Sequence, residues 1–348
     1  MAATLSYPLE LEPPVGDGSV VRIAPGVLWL RMPLFAALPW INVWAVAEQD
    51  GWAIVDTGLN SPETIGAWRS AFAGELAGAP VSRVMVTHMH PDHCGLAGWL
   101  TEQFQVRLWM SRLEYLTCRL LAADTGRAAP ADGIEFYRGC GWDEQAIASY
   151  RERFGWFGER IYPMPASYRR MEDGDTLTLG AHQWTVIVGN GHSPEHACLH
   201  CPELKLLISG DQVLPRISSN VSVYPLEPDA NPLGDWLTSL AKIKSRVPDD
   251  VLVLPAHNSP FKGLHARIDE LAESHRRALA RLEDLLAQPQ RAVDVFAALF
   301  SRPISADLLG MATGEAVAHL NYLTDSGRAI RERDHRGIWR WRAGIASR

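Results

Sequence analysis

The chain has no apolar stretch long enough to cross a bilayer, which excludes a spanning helix. Its first residues, Met1-Ala2-Ala3-Thr4-Leu5-Ser6-Tyr7-Pro8, lack a basic start and an extended apolar segment, so cytoplasmic residence is expected rather than export. Lysine is scarce: of 33 basic residues only Lys205, Lys242, Lys244 and Lys262 are lysines. With a net charge of -7, nothing in the overall balance invites nucleic acid. Cysteines are few and odd in number, and Cys94, Cys118, Cys140, Cys198 and Cys201 in 348 residues read as reduced thiols. Cys198 and Cys201 fall where a strand is expected. Residues three apart on a strand point to opposite faces, so no zinc or redox pair is expected there. Cys94 reads as a small core residue.

What is present suffices for a folded enzyme, since 47% hydrophobic content over this length supports one large core plus a small second domain. The most informative segment is His88-Met89-His90-Pro91-Asp92-His93. Neutral imidazole and carboxylate suit borderline cations, and alternating histidines project two side chains toward one ion, leaving Asp92 and His93 for a second.

An apolar, β-branched run at 83–87 leads into this motif and reads as a buried strand. Three more runs behave alike: 184–188 leads to His192, 206–209 to Asp211, and 251–254 to His257. Strands that each finish on a potential ligand are most economically gathered at one edge of packed sheets, where loops converge on a cavity.

With these motifs the chain resembles the metallo-β-lactamase superfamily. The resemblance implies an α+β fold, an αββα sandwich over residues 18–262, within which 100–166 reads from its own pattern as a mostly helical insertion. It also implies two divalent ions, zinc foremost, with manganese or iron(II) as alternatives. His88, His90 and His192 would hold one ion, Asp92, His93 and His257 the other, and Asp211 would bridge them. Asp56 in Ile54-Val55-Asp56-Thr57-Gly58 and His196 would support these ligands without binding metal. An aspartate at the bridging position favours a glyoxalase II-like or nuclease-like site, because the antibiotic-hydrolysing members carry cysteine or serine there. The oxygen-reducing members carry glutamate at the position of His90. One departure is Glu195, which stands where a glycine is usual.

Within the insertion, helices are expected at 112–122 and 142–154, separated by a glycine, alanine and proline-rich break. Its charges nearly cancel, which argues against an RNA-gripping arm; a lid, a subunit contact or a structural cover remain open. The loop from Phe35 to Trp40 is expected to overhang the site, where an apolar surface suits an acyl or aromatic substrate. Trp40, Arg216 and Tyr224 are candidate substrate contacts, the arginine for a carboxylate or phosphate.

Residues 263–289 read as one long amphipathic connecting helix. A separate small unit is expected at 290–348: helices at 293–300 and 314–326, then a hairpin over 329–342 turning at Asp334-His335-Arg336-Gly337. This pattern reads as a winged helix and resembles the C-terminal domain of a superfamily branch that includes a mitochondrial RNA endonuclease. Seven arginines against Glu332 and Asp334 over 327–348 offer an RNA anchor; the competing reading is a structural or homodimer-forming cap.

Two ions sharing a water make hydroxide available near neutral pH, with Asp92 and Asp211 holding the ions and accepting a hydrogen bond from the nucleophile. The ligands alone do not choose among thioesters, lactones and phosphodiesters. The apolar loop and neutral insertion favour acyl hydrolysis of a small-molecule thioester. A single-stranded RNA endonuclease is the alternative, and a non-catalytic metal-braced scaffold a weaker one.

Overall fold

Side chains alternate across each strand, so a strand apolar on both faces must be covered twice. The computed structural model of this chain, which describes residues 5–8, 12–35 and 38–344, shows how. The first sheet runs in chain order: β1 (Val21–Ala24), β2 (Val27–Pro33), β3 (Trp40–Glu48), β4 (Gly51–Val55), β5 (Val81–Met85), β6 (Leu108–Met110) and β7 (Tyr168–Arg170). It is antiparallel up to β4 and parallel beyond. The second contains β8 (Thr176–Leu179), β9 (His182–Gly189), β10 (His196–Cys201), β11 (Leu206–Gly210) and β12 (Leu252–Pro255), with only β11 and β12 parallel. Ala36 and Ala37 of the expected overhanging loop lie outside the described residues.

The helices in order are α1 (Pro62–Ala73), α2 (Pro91–Cys94), α3 (Ala97–Phe104), α4 (Arg112–Ala123), α5 (Ala131–Cys140), α6 (Glu144–Arg153), α7 (Pro232–Arg246), α8 (Leu264–Leu285), α9 (Phe296–Leu299) and α10 (Leu309–Asp325). Trp44 and Val46 of β3 meet Trp184 and Val186 of β9 between the sheets, whereas Ile41, Val43 and Ala45 face the layer containing α1, α3 and α4. Leu207 of β11 faces away from the first sheet, toward α7, α8 and α10. The αββα layering is therefore read directly from strand alternation. No helix among the described residues is long and apolar enough to cross a membrane.

The strands leading to the motifs are present, and Cys198 and Cys201 do enter different cores. Three features differ from expectation. Leu108–Met110, inside the expected helical insertion, pairs with β5 and belongs to the first sheet. The break between the two insertion helices contains α5, whose Phe136, Tyr137 and Cys140 are buried against the tail; Pro130, just outside the helix, satisfies the rule that proline precedes rather than interrupts. Finally, the tail is not a separate core. Val317, Leu320, Leu323, Trp339 and Trp341 form one continuous cluster with α7 and α8, and Trp142 Nε1 donates to Thr313 Oγ1 at 2.9 Å. The tail hairpin consists of β13 (Ala329–Arg333) and β14 (Trp339–Ala343), its turn closed by Asp334 Oδ1, which accepts from Arg336 N at 2.9 Å.

Candidate metal centre

The carboxyl ends of β4, β5, β9, β11 and β12 lie at one edge of the sandwich, and each leads to a candidate site residue. Asn42 on β3 fastens the two sheets beside this edge. Its Nδ2 donates to Pro255 O at 2.8 Å and Asn258 O at 2.6 Å, while its Oδ1 accepts from Trp29 Nε1 at 2.8 Å. Every polar atom of this buried amide is thereby used.

Three groups of side chains converge: His88 with His90 and His192; His88 with His93 and Asp211; and Asp92 with His93 and His257. Within each, the ligand atoms lie within 4.8 Å of one another. His88 Nε2 is 2.8 Å from His90 Nδ1 and 3.2 Å from His192 Nε2. Asp211 spans the groups, with Oδ2 3.5 Å from His192 Nε2 and Oδ1 3.6 Å from both His93 Nε2 and His257 Nε2. His257 Nε2 is also 3.4 Å from Asp92 Oδ2.

The far nitrogens of His88, His93, His192 and His257 are tied to acceptors, which fixes their tautomers. His93 Nδ1 donates to Asp56 Oδ2 at 2.8 Å, His192 Nδ1 to Asn220 O at 2.7 Å, and His257 Nδ1 to Trp40 O at 3.1 Å. Thr87 Oγ1 donates to Asp56 Oδ2 and is 3.1 Å from His88 Nδ1, from which it accepts. Each Nε2 lone pair then points inward. Among the described residues, His93 Nε2 and Asp211 Oδ1 are buried without any hydrogen-bond partner. Buried polar atoms are rarely left so, and a divalent cation between them would satisfy both.

Electrostatics divide these groups: burial pushes His88 and His90 toward the neutral form, whereas at His93 and His257 burial is outweighed by the neighbouring carboxylates, Asp92 and Asp211 foremost, which raise both imidazoles above their ordinary value. Burial, reinforced by His192, holds His90 at about 3, and burial with its neighbouring histidines holds His88 well below its ordinary value. Burial opposes ionisation of Asp92, yet His93 and His257 outweigh it and hold the carboxyl at about 2. Asp211 lies well below the usual carboxylate range because His257 and His93 overcome its burial.

His196 does not point a free nitrogen at the cluster: its Nε2 accepts from Asp211 N at 3.0 Å. Asp56 sits at φ 62°, a left-handed conformation that aspartate tolerates, and so turns from β4 toward Thr87 and His93. Among the candidate substrate contacts, Trp40 is half-buried and contributes its backbone carbonyl to His257, Tyr224 is exposed, and Arg216 holds its guanidinium over the ring of Tyr7, 5.3 Å from its centroid. Glu195, the departure from the usual glycine, accepts from Leu113 N at 2.8 Å and so caps α4, where Ser111 makes no side-chain cap.

Three contributors escaped the sequence. Asn42, Asn220 and Glu114 all act through hydrogen bonds made possible by the tertiary fold. Glu114 Oε2 accepts from Met89 N at 2.9 Å, and Oε1 accepts from Ser193 Oγ at 2.5 Å and Glu195 N at 2.7 Å.

A two-sheet sandwich whose strand ends gather five histidines and two aspartates defines a metallohydrolase. The chain belongs to the metallo-beta-lactamase superfamily, whose model matches residues 41–287; a metallo-beta-lactamase-like C-terminal domain model matches 279–344. It is similar to a beta-lactamase domain protein from Burkholderia ambifaria of known crystal structure, with a TM-score of 0.90 and 39% identity covering 98% of each chain. The acyl-coenzyme A thioesterase MBLAC2 of Gallus gallus is 25% identical over 242 residues, 68% of this chain and 79% of that one. A Bacillus subtilis (strain 168) protein named "Probable metallo-hydrolase YqjP" is 23% identical over 307 residues, covering 85% and 92% respectively.

Proposed function

We propose that this chain hydrolyses acyl thioesters, of the acyl-CoA or acylglutathione type, with His88, His90 and His192 holding one divalent ion, Asp92, His93 and His257 a second, and Asp211 both. When bound, such ions supply a nucleophilic hydroxide near neutral pH and polarise the scissile carbonyl. The chain's own part is to turn five imidazoles toward one cavity, to hold Asp92 and Asp211 ionised, and to fix both sheets around that cavity. Asp92 and Asp211 are the carboxylates placed to hold the ions and to accept a hydrogen bond from the attacking group.

The observation that carries the thioester reading is the similarity to a named acyl-CoA thioesterase over two thirds of the chain. A physical feature supports it. The loops whose carbonyls hold His257 and His192 are those that expose Phe35, Tyr224 and Leu226, offering apolar contact to an acyl group. Tail charge does not support RNA: Arg328, Arg331, Arg333, Arg340 and Arg342 are each paired with an acidic side chain. Two helices followed by a two-stranded hairpin support assigning the tail as a winged helix with a structural task.

The test is turnover of acyl-CoA and acylglutathione panels and, in parallel, of single-stranded RNA, each with and without chelator. Chelator-sensitive thioester hydrolysis is expected. RNA cleavage without thioester turnover would overturn the proposal, and inertness toward both would leave a metal-braced scaffold.

A further inference from the structure

We infer that Glu114 is a positioning residue that sets the spacing of the two ligand-bearing turns and selectively strengthens the ion held by His88, His90 and His192. Those three side chains come from different sheets. His88 and His90 follow β5 of the first sheet, and His192 follows β9 of the second. Ala197 N donates to Thr87 O at 2.8 Å and joins the two segments at their bases, but it does not reach the turns that carry the ligands.

Glu114 lies on α4, outside both sheets, and its fully buried carboxylate places one oxygen on each turn. Oε2 takes the amide of Met89, the residue between His88 and His90; Oε1 takes the Ser193 hydroxyl and the Glu195 amide, which follow His192. The helix is itself anchored to the second turn, since Ser111 Oγ donates to Glu195 O at 2.7 Å and Leu113 N to the Glu195 carboxylate. All three donors to Glu114 are neutral, so the acceptor is best matched by a carboxylate whose charge they leave in place. Burial raises the Glu114 carboxyl above its ordinary value, and its hydrogen bonds from Ser193, Glu195 and Met89 oppose that shift. The other ion's set, Asp92, His93 and His257, makes no hydrogen bond to Glu114 among the described residues.

This inference rests on the paired-ion reading and predicts an asymmetric effect. In Glu114→Gln the amide keeps one acceptor oxygen but turns a donor toward one of the turns, freeing it. Stepwise zinc affinities by competition with a chelating indicator, and the visible spectrum of the cobalt(II)-loaded protein, should show one of two ions weakened roughly 10- to 100-fold. The other should change by less than about 3-fold, the direct ligands being intact. Ser193→Ala, which removes a single donor, should weaken the same ion by a smaller factor, and it serves if Glu114→Gln folds poorly. Equal weakening of both ions, with a matching drop in metal-free Tm, would reduce Glu114 to a structural residue. Unchanged affinities in both variants would overturn its role while leaving the metal centre standing. A wild-type chain that binds fewer than two ions would remove the paired-ion reading, and this inference with it.

Discussion

Gly210 and His196 are mutually dependent: Gly210 sits at φ 51°, and a Cβ placed there would lie 2.4 Å from His196 Nε2. That nitrogen accepts the amide of Asp211. Replacing Gly210 by alanine should push the buried imidazole away and tilt Asp211. Turnover should fall roughly 10- to 100-fold, with reduced metal content in elemental analysis, the scale seen when supporting groups of a metal site are lost. Wild-type turnover would show that the ring can move without consequence.

Asp56 provides a test of charge apart from backbone strain. Asparagine also tolerates the left-handed conformation at this position, so Asp56→Asn keeps the turn while removing the anion behind His93. Metal affinity by chelator competition should drop roughly 10- to 100-fold. Asp56→Ala should lose more, because it adds strain and leaves Thr87 N without its acceptor.

Removing metal should cost stability. Without a cation, His93 Nε2 and Asp211 Oδ1 stay buried without partners. Saturating zinc, at about 100 times its dissociation constant, adds roughly 2.7 kcal/mol to the folded state and should raise Tm by roughly 5 °C over chelated protein in a thermal scan. His88→Ala and Asp211→Ala should abolish catalysis and reduce this rise while retaining most of the fold. An unshifted wild-type Tm would count against a built metal centre.

Acid should destabilise the chain through a buried histidine pair away from the metal ligands. Burial, with His319 nearby, holds His275 at about 3; burial holds His319 at about 4, aided by Arg281 and opposed by a hydrogen bond to Glu315 O. The unfolded chain takes up protons near 6.5 that the folded chain refuses, so this stability is full above 6.5 and falls as pH drops toward 4. Burial raises Glu315 to about 7, and its contribution is lost as pH rises from 4.5 to 7, partly offsetting the histidines. Urea midpoints at pH 7 and 5 should therefore show an acid loss that steepens in Glu315→Gln and shrinks in His319→Gln.

Deleting residues 289–348 separates the two tail readings. Gly314 O accepts Val223 N at 3.0 Å, and Glu315 accepts Asn220 Nδ2 at 2.9 Å, so α10 braces the loop that orients His192. The truncated chain should lose solubility and metal content together. A folded, metal-loaded truncation defective only in RNA binding would restore the nucleic-acid reading.

The strands that end on His88, His192, Asp211 and His257 were legible because β-branched runs and ligand chemistry are both written in side chains. The supports of those ligands were less so. Trp40 and Asn220 act through backbone carbonyls, which every residue possesses, and no pattern marks them. Glu114 was actively concealed: Ser111-Arg112-Leu113-Glu114 has the spacing of a helix capping box, which would assign the acid to its own helix end. Tertiary packing claims it instead, and Glu195 caps the helix. The tail elements were readable from periodicity, but their fusion with the core over α7 and α8 was not, since an apolar helix face does not name what covers it.

The candidate ligands are divided between the sheets, the first contributing His88 to His93 and the second His192, Asp211 and His257. A chain emerging from the ribosome thus presents the histidine-rich turn long before its counterparts have been synthesised. No early fragment can complete either coordination set, and α10, which steadies the His192 loop, arrives later still. On the proposed ligand assignment, full ion capture would be a finishing event in biosynthesis, locking two halves that have already found each other.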